Sequence, residues 1–140
     1  MALGGLLIIC PAVAAPQGVR LDVTLKGLRS TKGKVLICMT GNGKYFPDCG
    51  MDPNAHKATV PTLGIGVVSF TDVVPGTYLI TVLHDENSNG RMDKRLFLPA
   101  EGFGLSRNPK IGLSKPKVPT MQFPVGSEDM KQSINMHYVF

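Results

Sequence analysis

Val19, Leu21, Val23 and Leu25 alternate with Arg20, Asp22, Thr24 and Lys26. A period of two over eight residues predicts a strand with one buried and one wet face. Lys34 to Thr40 is a second run, denser in apolar residues, as a central strand would be. Gly66 to Phe70 predicts a short strand. Pro75-Gly76 marks a turn. The run from Thr77 to His84 then predicts a central strand, with Tyr78, Ile80 and Val82 on one face and Leu79, Thr81 and Leu83 on the other. Met121, Phe123 and Val125 alternate again, and so do Ile134, Met136, Tyr138 and Phe140. Residues 41–57 read as a long polar loop. Residues 85–116 read as irregular chain, punctuated by Gly90, Pro99, Gly102, Gly104, Pro109 and Gly112. No window sustains a 3.6-residue period, and Glu128 to Gln132 has room for one helical turn at most. About seven strands with turn signals between them predict an all-β fold, a single antiparallel β-sandwich over residues 17–140.

Composition narrows the class without naming an activity. At 140 residues the chain is one domain's worth, too short for a catalytic domain plus a binding domain. With 43% hydrophobic and 18% charged residues it is neither a disordered tail nor a coiled coil. The pattern excludes a polytopic membrane protein, a P-loop nucleotide-binding enzyme and a helical bundle. Fifteen basic residues against ten acidic give a net charge of +5. The excess is scattered over Lys26, Arg29, Lys32, Lys34, Arg107, Lys110, Lys115 and Lys117, without interleaved aromatics, so no nucleic-acid partner is expected. Attraction to an anionic envelope surface is compatible with that charge.

Residues 3–13 are apolar and no charge precedes Arg20. The stretch is short of the roughly 20 residues that span a bilayer. It ends in Ala12-Val13-Ala14, an A-x-A arrangement of the kind a signal peptidase accepts. We therefore expect a signal peptide over 1–14, a periplasmic or secreted protein, and no transmembrane segment in the mature chain. Cys10 raises a lipoprotein alternative, against which Ile9 stands where a small residue is wanted. Once 1–14 is removed, only Cys38 and Cys49 remain. In an oxidising compartment they predict one disulfide across a loop containing Gly41, Gly43, Pro47 and Gly50.

The candidate chemistry follows the Thr77–His84 strand. Residues 85–93 spell D-x-N-x-N-G-x-x-D. Calcium takes six to eight oxygen ligands from a short loop. Asp85, Asn87 and Asn89 occupy its first, third and fifth positions, Gly90 the sharp turn, the Arg91 carbonyl the seventh, and Asp93 the ninth. Position twelve, where a helix–loop–helix calcium site carries a bidentate glutamate, is Leu96, and the preceding element is a strand. Glu101 is the expected source of the missing carboxylate. Glu86 should point away. Arg91, Lys94 and Arg95 offset the acidic ligands, so affinity should fall near the 10⁻⁴ to 10⁻³ M of extracellular modules. The alternative is a polar turn in which the Asx side chains cap their own backbone. His84 and Ser106 lie beside the loop in sequence. No G-x-S-x-G is present, and nothing in the spacing of His84, Asp85 and Ser106 supports a triad.

Phe70-Thr-Asp-Val-Val-Pro-Gly-Thr-Tyr78 looks like the F-x-x-x-x-P-G-x-Y segment of transthyretin-like and collagen-adhesin B-type sandwich modules. Together with His84-Asp85-Glu86-Asn87-x-Asn89-Gly90-x-x-Asp93, Pro99-x-Glu101-Gly102-Phe103-Gly104-x-Ser106 and Asn108-Pro109, it resembles a family of small exported bacterial proteins classed as domain of unknown function 2141. The likeness runs from about residue 18 to 125. Where the family has a small apolar pair in G-I-P, this chain has Phe97-Leu98-Pro99. The resemblance implies an envelope or secreted protein with an immunoglobulin-like or prealbumin-like sandwich, and implies no established activity. It places the 85–93 loop and the 101–106 segment in one recurring unit, so Glu101 is expected to fold back onto the loop.

The sequence thus leads us to expect an exported non-catalytic module that binds an envelope or extracellular ligand, with Ca²⁺ ordering one loop. A structural accessory protein without an ion is the alternative. A small hydrolase using His84 with Asp85 or Glu101 is a third reading. Oligomeric state is not legible.

Overall fold

The structure is a computed structural model that describes residues 2–11 and 18–140. The expected cleavage motif Ala12-Val13-Ala14 lies outside the described residues. Residues 2–11 form no regular secondary structure, and their apolar side chains are exposed. Among the described residues, no helix is long and apolar enough to cross a membrane.

Ten strands follow in chain order: β1 (Val19–Lys26), β2 (Lys34–Thr40), β3 (His56–Pro61), β4 (Val68–Val73), β5 (Gly76–Asp85), β6 (Lys94–Arg95), β7 (Leu98–Pro99), β8 (Gly102–Leu105), β9 (Phe123–Val125) and β10 (Met130–His137). Seven of them lie side by side in the order β3-β2-β5-β8-β10-β1-β4. β9 pairs with the first residues of β5, and β6 and β7 form a separate two-stranded hairpin. The alternation read in β1 is borne out: Val19, Leu21 and Val23 are buried while Arg20 and Thr24 are exposed. β2 and β5 are central, paired in register from Lys34 with Asp85 to Thr40 with Leu79.

The all-β expectation holds, with two corrections. The seven-stranded path curls until it is nearly closed and barrel-like, so it is not a clear sandwich of two facing sheets. Its two edge strands meet through the core, where the His56 ring of β3 stands edge-on to Phe70 of β4 at 6.1 Å between centroids. Nor is the sheet wholly antiparallel. β1 and β10 run parallel, Leu21 opposite Met130 through Lys26 opposite Asn135. These strands lie at opposite ends of the domain's sequence, so no tight hairpin dictates their direction. Beyond Asn135, β10 leaves β1 and pairs antiparallel with β8. One strand therefore joins the two halves of the curl. Val23, Ile37, Met39, Ile80 and Ile134, each at most 1% exposed, pack into the core this encloses.

Two sheet strands are not read from the sequence: β8 lies in the segment read as irregular, and β3 overlaps the 41–57 loop by two residues and runs beyond it. β3 has only a weak alternating pattern, His56, Ala58 and Val60, half-buried. β8 reads Gly-Phe-Gly-Leu, and glycines dilute any strand signal. The Tyr138 ring requires one of them: a Cβ on Gly102 would come within 2.2 Å of it. The helical turn allowed for Glu128–Gln132 does not form, and Met130 to Gln132 start β10 instead.

Cys38 and Cys49 are disulfide-bonded, as expected, with Cα atoms 6.0 Å apart. The bond ties the start of the 49–57 segment to β2. Reduction should lower unfolding free energy by about 3 kcal/mol, the loop-closure value for a ring of this size. Leu21→Ala, at a fully buried position, should cost about 2–5 kcal/mol, whereas Thr24→Ala on the wet face should stay within about 0.5 kcal/mol. Urea unfolding of these three samples against the oxidised wild type measures each effect.

Candidate functional site

β5 ends in two polar residues with no exposed surface, His84 and Asp85. Buried polar groups must find partners, and these two find theirs in three different segments. His84 Nε2 lies 2.9 Å from the Lys32 carbonyl, and Nδ1 lies 2.7 Å from the Tyr138 hydroxyl. A carbonyl only accepts, so Nε2 carries the proton and donates it. Asp85 Oδ1 accepts from the Asn89 amide at 3.1 Å, and Oδ2 from the Gly90 amide at 2.7 Å. The close approach of the β1–β2 connection needs Gly33. Its φ is +64°, and a Cβ there would sit 2.1 Å from the Asp85 carbonyl oxygen.

The next residues close the loop on itself. Asn87 Oδ1 accepts from the Asn89 amide at 3.2 Å, and Asn89 Oδ1 from the Arg91 amide at 3.1 Å. The two side-chain amides point the other way and donate to the Asp93 carboxylate at 2.7 to 2.9 Å. Gly90 takes φ +79°, as the turn requires. Glu86 turns away from the loop but not into solvent: it is half-buried against the β1–β2 connection. It accepts from Arg29 Nε at 2.8 Å and from the Ser30 hydroxyl at 2.8 Å. Arg29 also lies over the Tyr138 ring, 4.5 Å from its centroid.

Glu101 folds back onto this loop. It immediately precedes β8, whose Gly102 pairs with His84. Its Oε2 accepts from the Asp93 amide at 3.3 Å. Its Oε1 is buried and has no hydrogen-bond partner among the described residues, on a residue only 6% exposed. Burial first, and then the charges of Asp93 and Asp85, push the Glu101 carboxyl above its ordinary value, against the backbone amides of Asp93 and, more weakly, Asn87. Asp93 moves the other way. The Asn87 and Asn89 amides, foremost, and the Arg91 charge hold it below the usual carboxylate range despite its burial. The Arg91 side chain approaches Asp93 at 3.8 Å. Among the described residues, no three of His, Cys, Asp and Glu stand in metal-holding geometry.

Ser106 lies at the far end of β8 from Glu101. Its hydroxyl donates to the Met121 carbonyl at 2.6 Å and accepts from the Ile80 amide at 2.9 Å. His84 and Ser106 thus serve different partners, and no nucleophile–base hydrogen bond joins them. Sequence reasoning missed Tyr138, Lys32, Arg29 and Ser30. They reach the site from 50 or more residues away, and only the alternation around Tyr138 marked it as a strand residue.

Two other features carry chemistry. A cleft of about 370 Å³ is lined by Asn42, Tyr45, Asp52, Asn54, His56 and Tyr78. Asp52 is buried there, accepting from the Thr40 hydroxyl and, at 2.9 Å, from the Asn54 amide. Those bonds, Thr40's above all, hold its carboxyl below the usual range. The β6–β7 hairpin turns through Leu96 and Phe97, at φ 50° and 67°. Left-handed backbone at non-glycine residues costs roughly 1–3 kcal/mol each.

A family model described as an uncharacterized protein conserved in bacteria (DUF2141) matches residues 23–133, which include the whole of the 84–106 region. No curated protein and no solved structure matches the chain.

Glu101 sets a pH dependence. Its folded carboxyl holds a proton more tightly than the unfolded chain, whose value is near 4.5. The stability it contributes is complete below that value and is lost as pH rises through the raised folded one. Glu101→Gln removes the penalty. In EDTA the variant should melt above the wild type at neutral pH, and the gap should close on acidification toward pH 4.5. Equal melting temperatures across the range would show that Glu101 is not held in this environment.

Proposed function

The chain belongs to this bacterial family of uncharacterized proteins (DUF2141), and within it we propose an exported, non-catalytic β-domain whose 85–93 loop, completed by Glu101, binds Ca²⁺ at low affinity. The observation that carries this reading is the buried Glu101 Oε1, unpartnered among the described residues and close enough to Asp85 and Asp93 to feel both charges. A buried carboxylate oxygen without a donor costs free energy, and a hard cation among carboxylates and carboxamides relieves it. Asp85, Asn87, Asn89, Asp93 and the Arg91 carbonyl supply the remaining oxygen donors. The disulfide supports export to a periplasmic or secreted destination. Complete internal engagement of His84 and Ser106 supports a non-catalytic role, and the proposed partner is an envelope or extracellular ligand. The likeness of the Phe70–Tyr78 segment to transthyretin-like and collagen-adhesin B-type modules belongs to the same proposal, without their sandwich architecture. Its support is Phe70 in the core and the Tyr78 hydroxyl closing the Pro75-Gly76 turn on the Val74 carbonyl at 2.7 Å.

A second reading has its own observation. Asn87 and Asn89 already close the loop through Asx-turns and their bonds to Asp93, which a structural protein without an ion would also show.

Thermal unfolding of the oxidised protein in millimolar Ca²⁺, in Mg²⁺ and in EDTA separates the two. Calcium at tenfold its dissociation constant should add about 1.4 kcal/mol, a rise of about 3–6 °C at this size. The rise should be absent in Asp85→Asn and Glu101→Gln. No shift at several millimolar would assign the loop to the Asx-turn scaffold.

A further inference from the structure

Leu96 and Phe97 are 80% and 97% exposed, side by side at the tip of the β6–β7 hairpin. Neither packs into a core cluster. Both hold positive φ, in the two positions that hairpins ordinarily give to Asn-Gly. Two large apolar groups therefore stand in water on a backbone that disfavours them, and the fold gains no core contact from either. The residues beside them are cationic. Lys94 and Arg95 form β6, and Arg91 precedes it by three positions. Arg95 lies over the ring of Phe140, itself 45% exposed, at 5.2 Å. An apolar tip flanked by cations is complementary to a surface with anionic head groups over hydrocarbon. The side chains enter the acyl boundary and the cations stay with the phosphates.

We propose that the Leu96–Phe97 tip docks this protein onto an anionic phospholipid surface, and that the cation of the adjoining loop strengthens the docking. The second half rests on the calcium reading above. Between residues 85 and 101 the chain carries Arg91, Lys94 and Arg95 and the carboxylates of Asp85, Glu86, Asp93 and Glu101; with Glu86 paired to Arg29, three positive charges stand against three carboxylates. A divalent ion makes that unit net positive. The Ala100 amide donates to the Asp93 carbonyl at 2.8 Å and Lys94 pairs with Pro99, so the base of the hairpin is fastened to the loop that would take the ion. Ordering the loop orders the tip.

The test is co-sedimentation of the oxidised full chain with vesicles of phosphatidylcholine alone and of phosphatidylcholine mixed with phosphatidylglycerol, at low salt, in EDTA and in millimolar Ca²⁺. Residues 2–11 are apolar and exposed, so every comparison is made between chains that share them. The wild type should favour the anionic vesicles, and more so in Ca²⁺. The double variant Leu96→Ser/Phe97→Ser should partition at least about tenfold more weakly. Lys94→Gln should weaken binding about fivefold, and only to the anionic vesicles. Because the chain contains no tryptophan, Phe97→Trp places a single reporter at the tip. Its emission should shift to the blue on anionic vesicles.

Unshifted emission, or equal partitioning of wild type and double variant, overturns the docking. So does self-association of the wild type that the double variant loses while neither binds vesicles, which would assign the tip to a second copy of the chain. Melting that rises with Ca²⁺ while vesicle binding ignores it overturns the cation's part alone. Melting that ignores Ca²⁺ while anionic vesicles still bind the tip overturns the calcium reading and leaves the docking in place.

Discussion

Burial of His84 and Asp85 at the end of β5 is the constraint from which the site follows. Neither side chain reaches water, so every polar atom must be answered from within. The Lys32 carbonyl answers one ring nitrogen of His84, and the Tyr138 hydroxyl answers the other. The loop's own amides answer Asp85. Those four bonds draw together the β1–β2 connection, the strand end, the 86–93 loop and the C-terminal segment. Arg29 reinforces the junction by pairing with Glu86 and lying over Tyr138. The loop is therefore shaped by the fold's interior and not by its own sequence alone.

The topology makes that junction possible. β10 pairs with β1 along most of its length and with β8 at its end, carrying Tyr138 to the side of the molecule where β5 finishes. β8 lies between them, and its glycines let the Tyr138 ring and Ile134 lie close against its backbone. Glu101 precedes β8, so the pairing of Gly102 with His84 delivers its carboxylate to the loop. Sheet and site are one construction: the pairing of β8 between β5 and β10 that continues the sheet also brings the Glu101 carboxylate to the loop.

Much of this was legible because it is local. Period-two alternation in β1 and the dense runs of β2 and β5 state which faces are buried. The spacing of Asp85, Asn87, Asn89, Gly90 and Asp93 is enough to predict an inward-pointing polar loop with a positive-φ glycine, and the resemblance tied Glu101 to it. β3 and β8 were illegible because weak alternation and glycine content say nothing about neighbours that will cover them. The parallel pairing of β1 with β10 was illegible for a similar reason, since no turn chemistry links strands so far apart.

What the sequence determined by itself is the class of elements, the disulfide partners and the polar side chains gathered around residue 85, because each depends on neighbours within a few positions or on Cys38 and Cys49 being the two cysteines beyond residue 14. What only the tertiary structure decided is the near closure of the sheet, the partners of His84 and Glu86, and the isolation of Glu101 Oε1. Those depend on which distant backbone and side-chain groups arrive at the same place, and on how much water they exclude when they do.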